Sequence, residues 1–302
     1  MLEAIVKIVG NNNVKTNEPM DIHTTFRAGG RAAYFVKAES SRQLSCLIKL
    51  FGKENVPYFI LGNGSNVLVK DTGYKGVVIK LAGEFEDIAI KETKNISCIL
   101  VAGSAALLSR TAKAAADKGY SGMETLSGIP GTIGGAVTMN AGAYGGEIKD
   151  IIESADVMDE EGDIITLDRD KLNLSYRHSI VQDRNYIVLN AVFNLSAGDK
   201  KEIADKMGEY AKARKEKQPL EYPSAGSTFK RPEGYFAGKL IMEAGFGGYK
   251  SGGAMVSEKH CGFVINAGGA TATDILNVIE DVKAGVLEKF GVELEPEVKI
   301  LG

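Results

Sequence analysis

Ser227 follows a glycine in the run SAGSTFKRP at 224–232. No GxSxG elbow surrounds it, so a hydrolase nucleophile is disfavoured. A hydroxyl there could instead hand a proton directly to a developing carbanion. Lys217, Lys230 and Arg231 make the stretch positive, which suits phosphate and is equally common on surfaces. Arg177, in SYRHS at 175–179, carries the planar donor set of a carboxylate or phosphate clamp. Read from the residues alone, a surface arginine is the other option. On a strand its neighbour His178 would point the opposite way. LEPEV at 294–298 sets Glu295 and Glu297 on one face of an extended chain, a pattern that solvated acids also show. The remaining histidines, His23 and His260, are not spaced with His178 as a local metal cluster. No metal is expected.

Glycine supplies the second signal, at 36 of 302 residues against about 7% on average. The loop GNGSN at 62–66 follows a strand pattern and can turn several backbone N–H groups toward a phosphate. It lacks the helix that a GxGxxG dinucleotide loop requires, and a plain tight turn fits it as well. GIPGTIGGAVTMNAGAYGG at 128–146 is more telling. So many glycines raise the entropy lost on folding, which argues against a mere connector and for main chain lying against a large flat ligand. Asn140 within it could read an amide or carbonyl edge. The two loops could hold both ends of one dinucleotide or two separate ligands.

These loops need elements to carry them. Leu44, Leu47, Ile48 and Phe51 share one face of a helix expected over 41–53. Strand patterns follow at 58–62, 67–81 and 84–103, then a helix capped by Ser104 and stopped by Gly119. A hairpin is expected over 150–169, a strand over 185–195, and an amphipathic helix with one apolar stripe over 199–217. Further helices are expected at 235–244 and 271–290, a strand at 262–266, and a closing strand VELEPEVKI that Pro296 makes an edge or an irregularity. The chain is 44% apolar and 25% charged with a net charge of -3. That balance excludes a disordered chain and gives no electrostatic case for nucleic-acid binding. Cys46, Cys98 and Cys261 lack metal or redox spacing and read as reduced thiols in a cytoplasmic protein. The N-terminus does not have the form of a signal peptide, and no stretch reaches the roughly twenty apolar residues of a membrane span.

Six segments in order, TTFRAGG at 24–30, GNGSN at 62–66, GIPGTIGGAVTMNAGAYG at 128–145, YRHS at 176–179, SAGSTFKRP at 224–232 and LEPEV at 294–298, resemble the UDP-N-acetylenolpyruvoylglucosamine reductase family. The resemblance spans nearly the whole chain. It implies a mixed α/β (α+β) protein: a two-part FAD-binding fold of the vanillyl-alcohol-oxidase type, 1–83 and 84–218, plus a smaller α/β substrate domain at 219–302 whose C-terminal strand returns to the active site. It implies non-covalent FAD, contacted by Gly62, Asn63, Gly64, Ser65, Asn66, Gly128, Pro130, Gly131, Gly134, Gly135, Asn140, Gly142 and Ala143. NADPH is the implied hydride donor and leaves before the enolpyruvyl nucleotide sugar enters.

The same resemblance assigns roles at the reacting end. Reduced FAD passes hydride from N5 to C3, Ser227 protonates C2, and Arg177 and Glu297 stabilise the intermediate between. Glu297 fits that role protonated or sharing a proton, since a bare carboxylate would repel the charge. Lys217, in a Lys-x-Pro position, and Tyr176 face substrate or NADPH phosphate. The stretch after Arg177 is too short for the tyrosine-bearing loop of one family form, so the chain resembles the shorter second form. Arg231 stands where one form has asparagine, and no role passes to it. A cytoplasmic monomer is expected. The alternatives are an FAD oxidase acting on a sugar or alcohol, and a non-catalytic nucleotide-sugar binder.

Overall fold

The computed structural model describes residues 1–92 and 97–302. Its helices are α1 (Leu2–Val9), α2 (Ser41–Glu54), α3 (Leu108–Lys118), α4 (Ile133–Thr138), α5 (Ile180–Asp183), α6 (Lys200–Lys217), α7 (Ala237–Glu243) and α8 (Ala272–Phe290). Two compact units form from separated stretches. The first comprises Met1–Lys15, Phe35–Asn63 and Gly76–Ala213, the second Thr16–Tyr34, Gly64–Lys75 and Arg214–Gly302. The units interleave the linear order 1–83, 84–218, 219–302. The chain passes from one to the other inside the GNGSN loop, between Asn63 and Gly64, and again inside α6. The other three crossings fall within strands of a sheet in the order Val14–Pro19, Arg31–Ala38, Tyr74–Leu81, Tyr58–Leu61.

In the first unit α2 forms as its spacing dictates. Ser40 Oγ accepts from the Gln43 amide, Leu44, Leu47, Ile48 and Phe51 are buried, and Asn55 at φ 53° ends the helix. The larger sheet is antiparallel, in the order Ile164–Asp168, Ile152–Met158, Ile187–Ala197, Ser97–Gly103, Ile88–Glu92, with Tyr120–Ser121 pairing on the long central strand. Within the strand region expected at 84–103, residues 93–96 lie outside the described residues. The 150–169 hairpin forms around Gly162 at φ 78°. Leu100, Ala191, Phe193, Ala112 and Val137 are among the buried residues between this sheet and α3 and α4.

Two expectations fail here for physical reasons. Ser104 does not cap a helix: its amide donates to Leu189 O and its carbonyl accepts from the Gly134 amide, which fixes it in the preceding turn. α3 starts at Leu108 instead, and Gly119 at φ 82° stops it as expected. The charged helix forms as α6, yet Ile203 is its one buried residue among those described. Charge on every side leaves no apolar stripe, and only partly buried Met207 adds to the core contact.

The second unit is built on α8. Thr271 and Asp274 form a capping box at its start, and Gly291 at φ 66° closes it. Ile275, Val278, Ile279, Val282 and Val286 are fully buried at helical spacing. They pack in one cluster with Ile241, Val256, Val264, Phe26 and Leu68. The three-stranded sheet runs Lys250–Ser251, Ala254–Val256, Val264–Asn266. The closing strand is shorter than VELEPEVKI suggests. Pro296 has no N–H for a ladder, so 292–298 contributes only an isolated bridge to Phe229, and pairing resumes at Lys299–Leu301. That strand lies parallel to Val67–Val69, directly after the GNGSN loop.

Asp71 anchors that loop region to α8. Its carboxylate accepts from the Ala272 amide (2.9 Å), the Thr273 amide (2.8 Å) and Thr273 Oγ1 (2.6 Å). Partial burial pushes its pKa up, but these bonds outweigh it and hold the group below its ordinary value. The stabilisation is therefore complete above about pH 4 and lost as pH falls through the lower folded-state pKa. Asp71→Asn is expected to cost about 1 kcal/mol at pH 7, with the gap to the parent closing toward pH 3, in urea melts run at both pH values. No helix among the described residues is long and apolar enough to cross a membrane.

Candidate active site

The GNGSN loop follows Tyr58–Leu61, whose parallel register with Tyr74–Leu81 sets Leu61 opposite Lys80. From there the Lys80 ammonium donates to Gly62 O. Thr25 donates to Gly64 O through its amide (3.1 Å) and its Oγ1 (3.3 Å). The loop's carbonyls at 62 and 64 are thus engaged. Among the described residues, the amides of Asn63, Gly64 and Ser65 donate to no protein group. Such a turn offers its N–H groups to an anion. Gly64 is required: at φ 65°, a Cβ there would sit 2.1 Å from His23 O. Burial lowers the Lys80 pKa, with Lys37 adding to the effect and Glu86 opposing it.

In the first unit the two glycine-rich loops touch. Asn63 Nδ2 donates to Pro130 O at 2.8 Å, and a Cβ at Gly62 would meet Thr132 Oγ1 at 2.9 Å. A Cβ at Gly134 would meet Ser104 Cβ at 2.9 Å. Residues 128–146 are not extended throughout, as a flat cradle would suggest. Ile133–Thr138 coils into α4, with Thr132 Oγ1 accepting from the Gly135 amide, and Gly142–Ala143 pairs with Gly146–Glu147 as a tight hairpin. The amides of Gly128 and Gly131 make no protein bond among the described residues, so this edge also keeps donors for a ligand. In the first unit, a long flat group bearing phosphate, such as FAD, fits the edge formed by Gly62, Asn63 and residues 128–146: small residues allow close approach, and the amides of Asn63, Gly128 and Gly131 make no protein bond among the described residues.

Asn140 behaves differently from its expected ligand contact. It is 0% exposed. Its Nδ2 donates to Glu147 Oε2 (3.0 Å) and Ser175 O (2.9 Å), and its Oδ1 accepts from the Lys149 amide (2.9 Å). Both side-chain protons are spent inside the protein, which corrects the expectation of side-chain contact with FAD. Burial raises the Glu147 pKa, but hydrogen bonds from Lys149 and Asn140 and the charges of Lys149 and Arg177 bring it below the usual value.

Arg177 belongs to this unit. Ser175 and His178 exchange backbone bonds at 3.1 and 3.2 Å, leaving Tyr176 and Arg177 at the tip of a turn with Arg177 at φ 57°. Its guanidinium stacks over the Tyr176 ring at 4.9 Å, and Nη2 donates to Gly142 O at 3.3 Å. Arg177 is therefore brought against the glycine hairpin, with half-exposed Tyr176 stacked on its guanidinium. His178 is turned to Asp183, 2.9 Å away.

In the second unit Ser227 and the C-terminal acids come together. Thr228 is fully buried; its amide donates to Gly262 O and its Oγ1 accepts from the Val264 amide at 2.9 Å. Its neighbour Ser227 is exposed. The Glu297 amide donates to Thr228 O at 2.8 Å, and Asn66 Nδ2 donates to Glu297 O at 3.1 Å. Lys299 N donates to Asn66 O at 3.0 Å. The segments of Asn66, Ser227 and Glu297 are thereby fixed to one another by main-chain bonds. Glu295 is paired with Lys230 instead. Lys217 is exposed at the last residue of α6. Sequence reasoning missed Thr25, Lys80 and Gln182. Thr25 lies within the TTFRAGG segment, whereas neither Lys80 nor Gln182 stands in a chemical motif.

Residues 218–301 match the family of the UDP-N-acetylenolpyruvoylglucosamine reductase C-terminal domain, and residues 32–168 match an FAD binding domain. The chain is 51% identical over 302 residues to the UDP-N-acetylenolpyruvoylglucosamine reductase of Lachnoclostridium phytofermentans, covering 100% of this chain and 97% of that protein. It is 54% identical over 293 residues to the reductase of Agathobacter rectalis, covering 95% and 93%. The crystal structure of the Thermus caldophilus reductase superposes with a TM-score of 0.80 at 36% identity, covering 94% of this chain and 97% of that one. The expected mixed α/β architecture, an FAD-binding fold with a smaller α/β part, is the one observed. With relationship of this strength from end to end, the chain belongs to the UDP-N-acetylenolpyruvoylglucosamine reductase family.

Proposed function

We propose that this protein reduces UDP-N-acetyl-3-O-(1-carboxyvinyl)-glucosamine to UDP-N-acetylmuramate, a peptidoglycan precursor, with non-covalent FAD and with NADPH as electron donor. FAD, when bound, supplies the two-electron chemistry, accepting hydride from NADPH and giving hydride to the enolpyruvyl C3. The protein's part is to hold FAD and substrate and to supply a proton. Ser227 donates that proton to C2, the carbon left electron-rich by addition at C3. Arg177 binds the substrate carboxylate, into which the developing charge spreads, and Glu297 shares a proton with it. Lys217 and Tyr176 serve the phosphate-bearing ligand.

The observation that best supports this reading is the fixed placement of Ser227. It stands exposed on the segment whose Thr228 carbonyl takes the Glu297 amide, so a hydroxyl and a carboxyl-bearing residue share one rigid support. A hydrolytic role would need a base and an oxyanion pocket around that hydroxyl instead. The reading is tested anaerobically. NADPH should bleach the flavin absorbance of the purified holoprotein, and the enolpyruvyl nucleotide sugar should then restore it. Flavin that stays bleached after substrate addition would count against the assignment.

Lys80 yields a prediction for the cofactor itself. Its cation holds Gly62 O, at the start of the loop whose free amides suit phosphate. Lys80→Met is expected to weaken FAD binding about tenfold, the scale of one charge-assisted hydrogen bond, and to make binding less sensitive to salt. Fluorescence titration of the apoprotein with FAD reads both, and unchanged affinity would remove Lys80 from the phosphate site.

A further inference from the structure

Arg177 is the one reacting-end residue whose backbone lies in the left-handed region, at φ 57°. An arginine gains nothing there and pays roughly 1 kcal/mol or more, so the fold must impose it. The turn is pinned on both flanks to the few residues that end α4. Before the arginine, Asn140 Nδ2 donates to Ser175 O at 2.9 Å. After it, Ser179 Oγ and Gln182 Nε2 both donate to Thr138 O, at 2.7 and 2.9 Å. Gln182 Nε2 also donates to the carbonyl of Arg177 itself, at 3.1 Å. Thr138 and Asn140 in turn close the glycine-rich stretch that touches Asn63 through Pro130. The arginine's support and the ligand cradle are therefore one continuous piece of main chain.

We propose that Asn140 and Gln182 are positioning residues that set Arg177 against the substrate carboxylate, and that they do so by bolting its turn to the end of α4. This rests on the proposed reductase reading, in which Arg177 meets that carboxylate. Neither side chain touches the reacting atoms in this scheme. Each acts through its amide: one bond goes to the main chain around residue 177 (Ser175 O from Asn140, Arg177 O from Gln182), and the other goes to Glu147 from Asn140 or Thr138 O from Gln182. A carboxylate in either place would turn a donor into an acceptor facing carbonyl oxygens.

The test is a double-mutant comparison in the holoenzyme, with both half-reactions followed by stopped-flow flavin absorbance. Gln182→Glu, and separately Asn140→Asp, should slow substrate reduction about tenfold or more, as expected for an ångström-scale misplacement. Substrate KM should rise, and reduction by NADPH should stay within about twofold. In an Arg177→Ala background the same substitutions should change substrate reduction by less than about twofold, because the group they position is gone. Equal losses with and without Arg177, equal losses in both half-reactions, or no loss at all would each overturn the proposal. Asn140 is fully buried and its variant could fail to fold; the partly exposed Gln182 then carries the test alone. Failure of the parent enzyme to reduce the nucleotide sugar would be a different result, and would overturn the functional reading beneath.

Discussion

Ser227→Ala is expected to slow reduction of the enolpyruvyl substrate by about a thousandfold, the range of a lost general acid, while FAD reduction by NADPH stays within about twofold. The two effects separate because the hydroxyl serves only the step that places a proton on C2. The fold should not notice the change. Ser227 is exposed, and the bonds that hold its segment belong to its neighbours: the Thr228 amide to Gly262 O, Thr228 Oγ1 from the Val264 amide, and Thr228 O from the Glu297 amide. Ser227→Cys retains a proton and should recover part of the rate. Stopped-flow absorbance of the flavin measures the two half-reactions independently, and comparable losses in both would contradict the role of proton donor.

The second large effect is on the fold itself. Gly64→Ala is expected to lower stability by about 3 kcal/mol, combining left-handed backbone strain with overpacking against main chain. The new methyl would lie 2.1 Å from His23 O and 2.9 Å from Thr24 Cα, and neither is a flexible side-chain end that can swing away. The loop would have to shift, and with it the free amides at 63–65. Gly145→Ala is the control. Gly145 also has positive φ, at 86°, but nothing lies within 4 Å of its added carbon, so only about 1 kcal/mol is expected. Urea denaturation midpoints of the two apoproteins separate contact from backbone preference. Equal losses would mean that the close approach to His23 carries no weight.

Local patterns were the most legible part of this sequence. The apolar spacing of Leu44, Leu47, Ile48 and Phe51 names the buried face of α2, and Gly119 and Gly162 mark a helix stop and a hairpin because only backbone preferences are involved. At Ser104 the cap signal misleads, because any serine before a helical pattern satisfies it, while its place is decided by bonds to Leu189 and Gly134, far off in sequence. The interleaved units were hidden for the same reason: nothing near 64–75 announces that Asp71 will anchor the start of α8, some two hundred residues later.

The candidate site divides similarly. Glycine density marked both loops, and the motif order marked Arg177, Ser227 and Glu297. The polar scaffolding beneath them was invisible or inverted. Asn140 looked like a ligand reader because an exposed asparagine in a glycine loop would be one. Burial spends its amide on Ser175 and Glu147 instead. Lys80 reads as an ordinary strand lysine until parallel register places it opposite Leu61, beside the loop. Side chains that act through the backbone of others leave no chemical signature of their own.

The most direct measurement is the mass of the product formed when purified protein, NADPH and the enolpyruvyl nucleotide sugar are incubated together. Conversion to a species heavier by two hydrogens, with NADPH consumed in equal amount, is the predicted result. Substrate recovered unchanged by a protein that holds FAD would contradict the account at its centre.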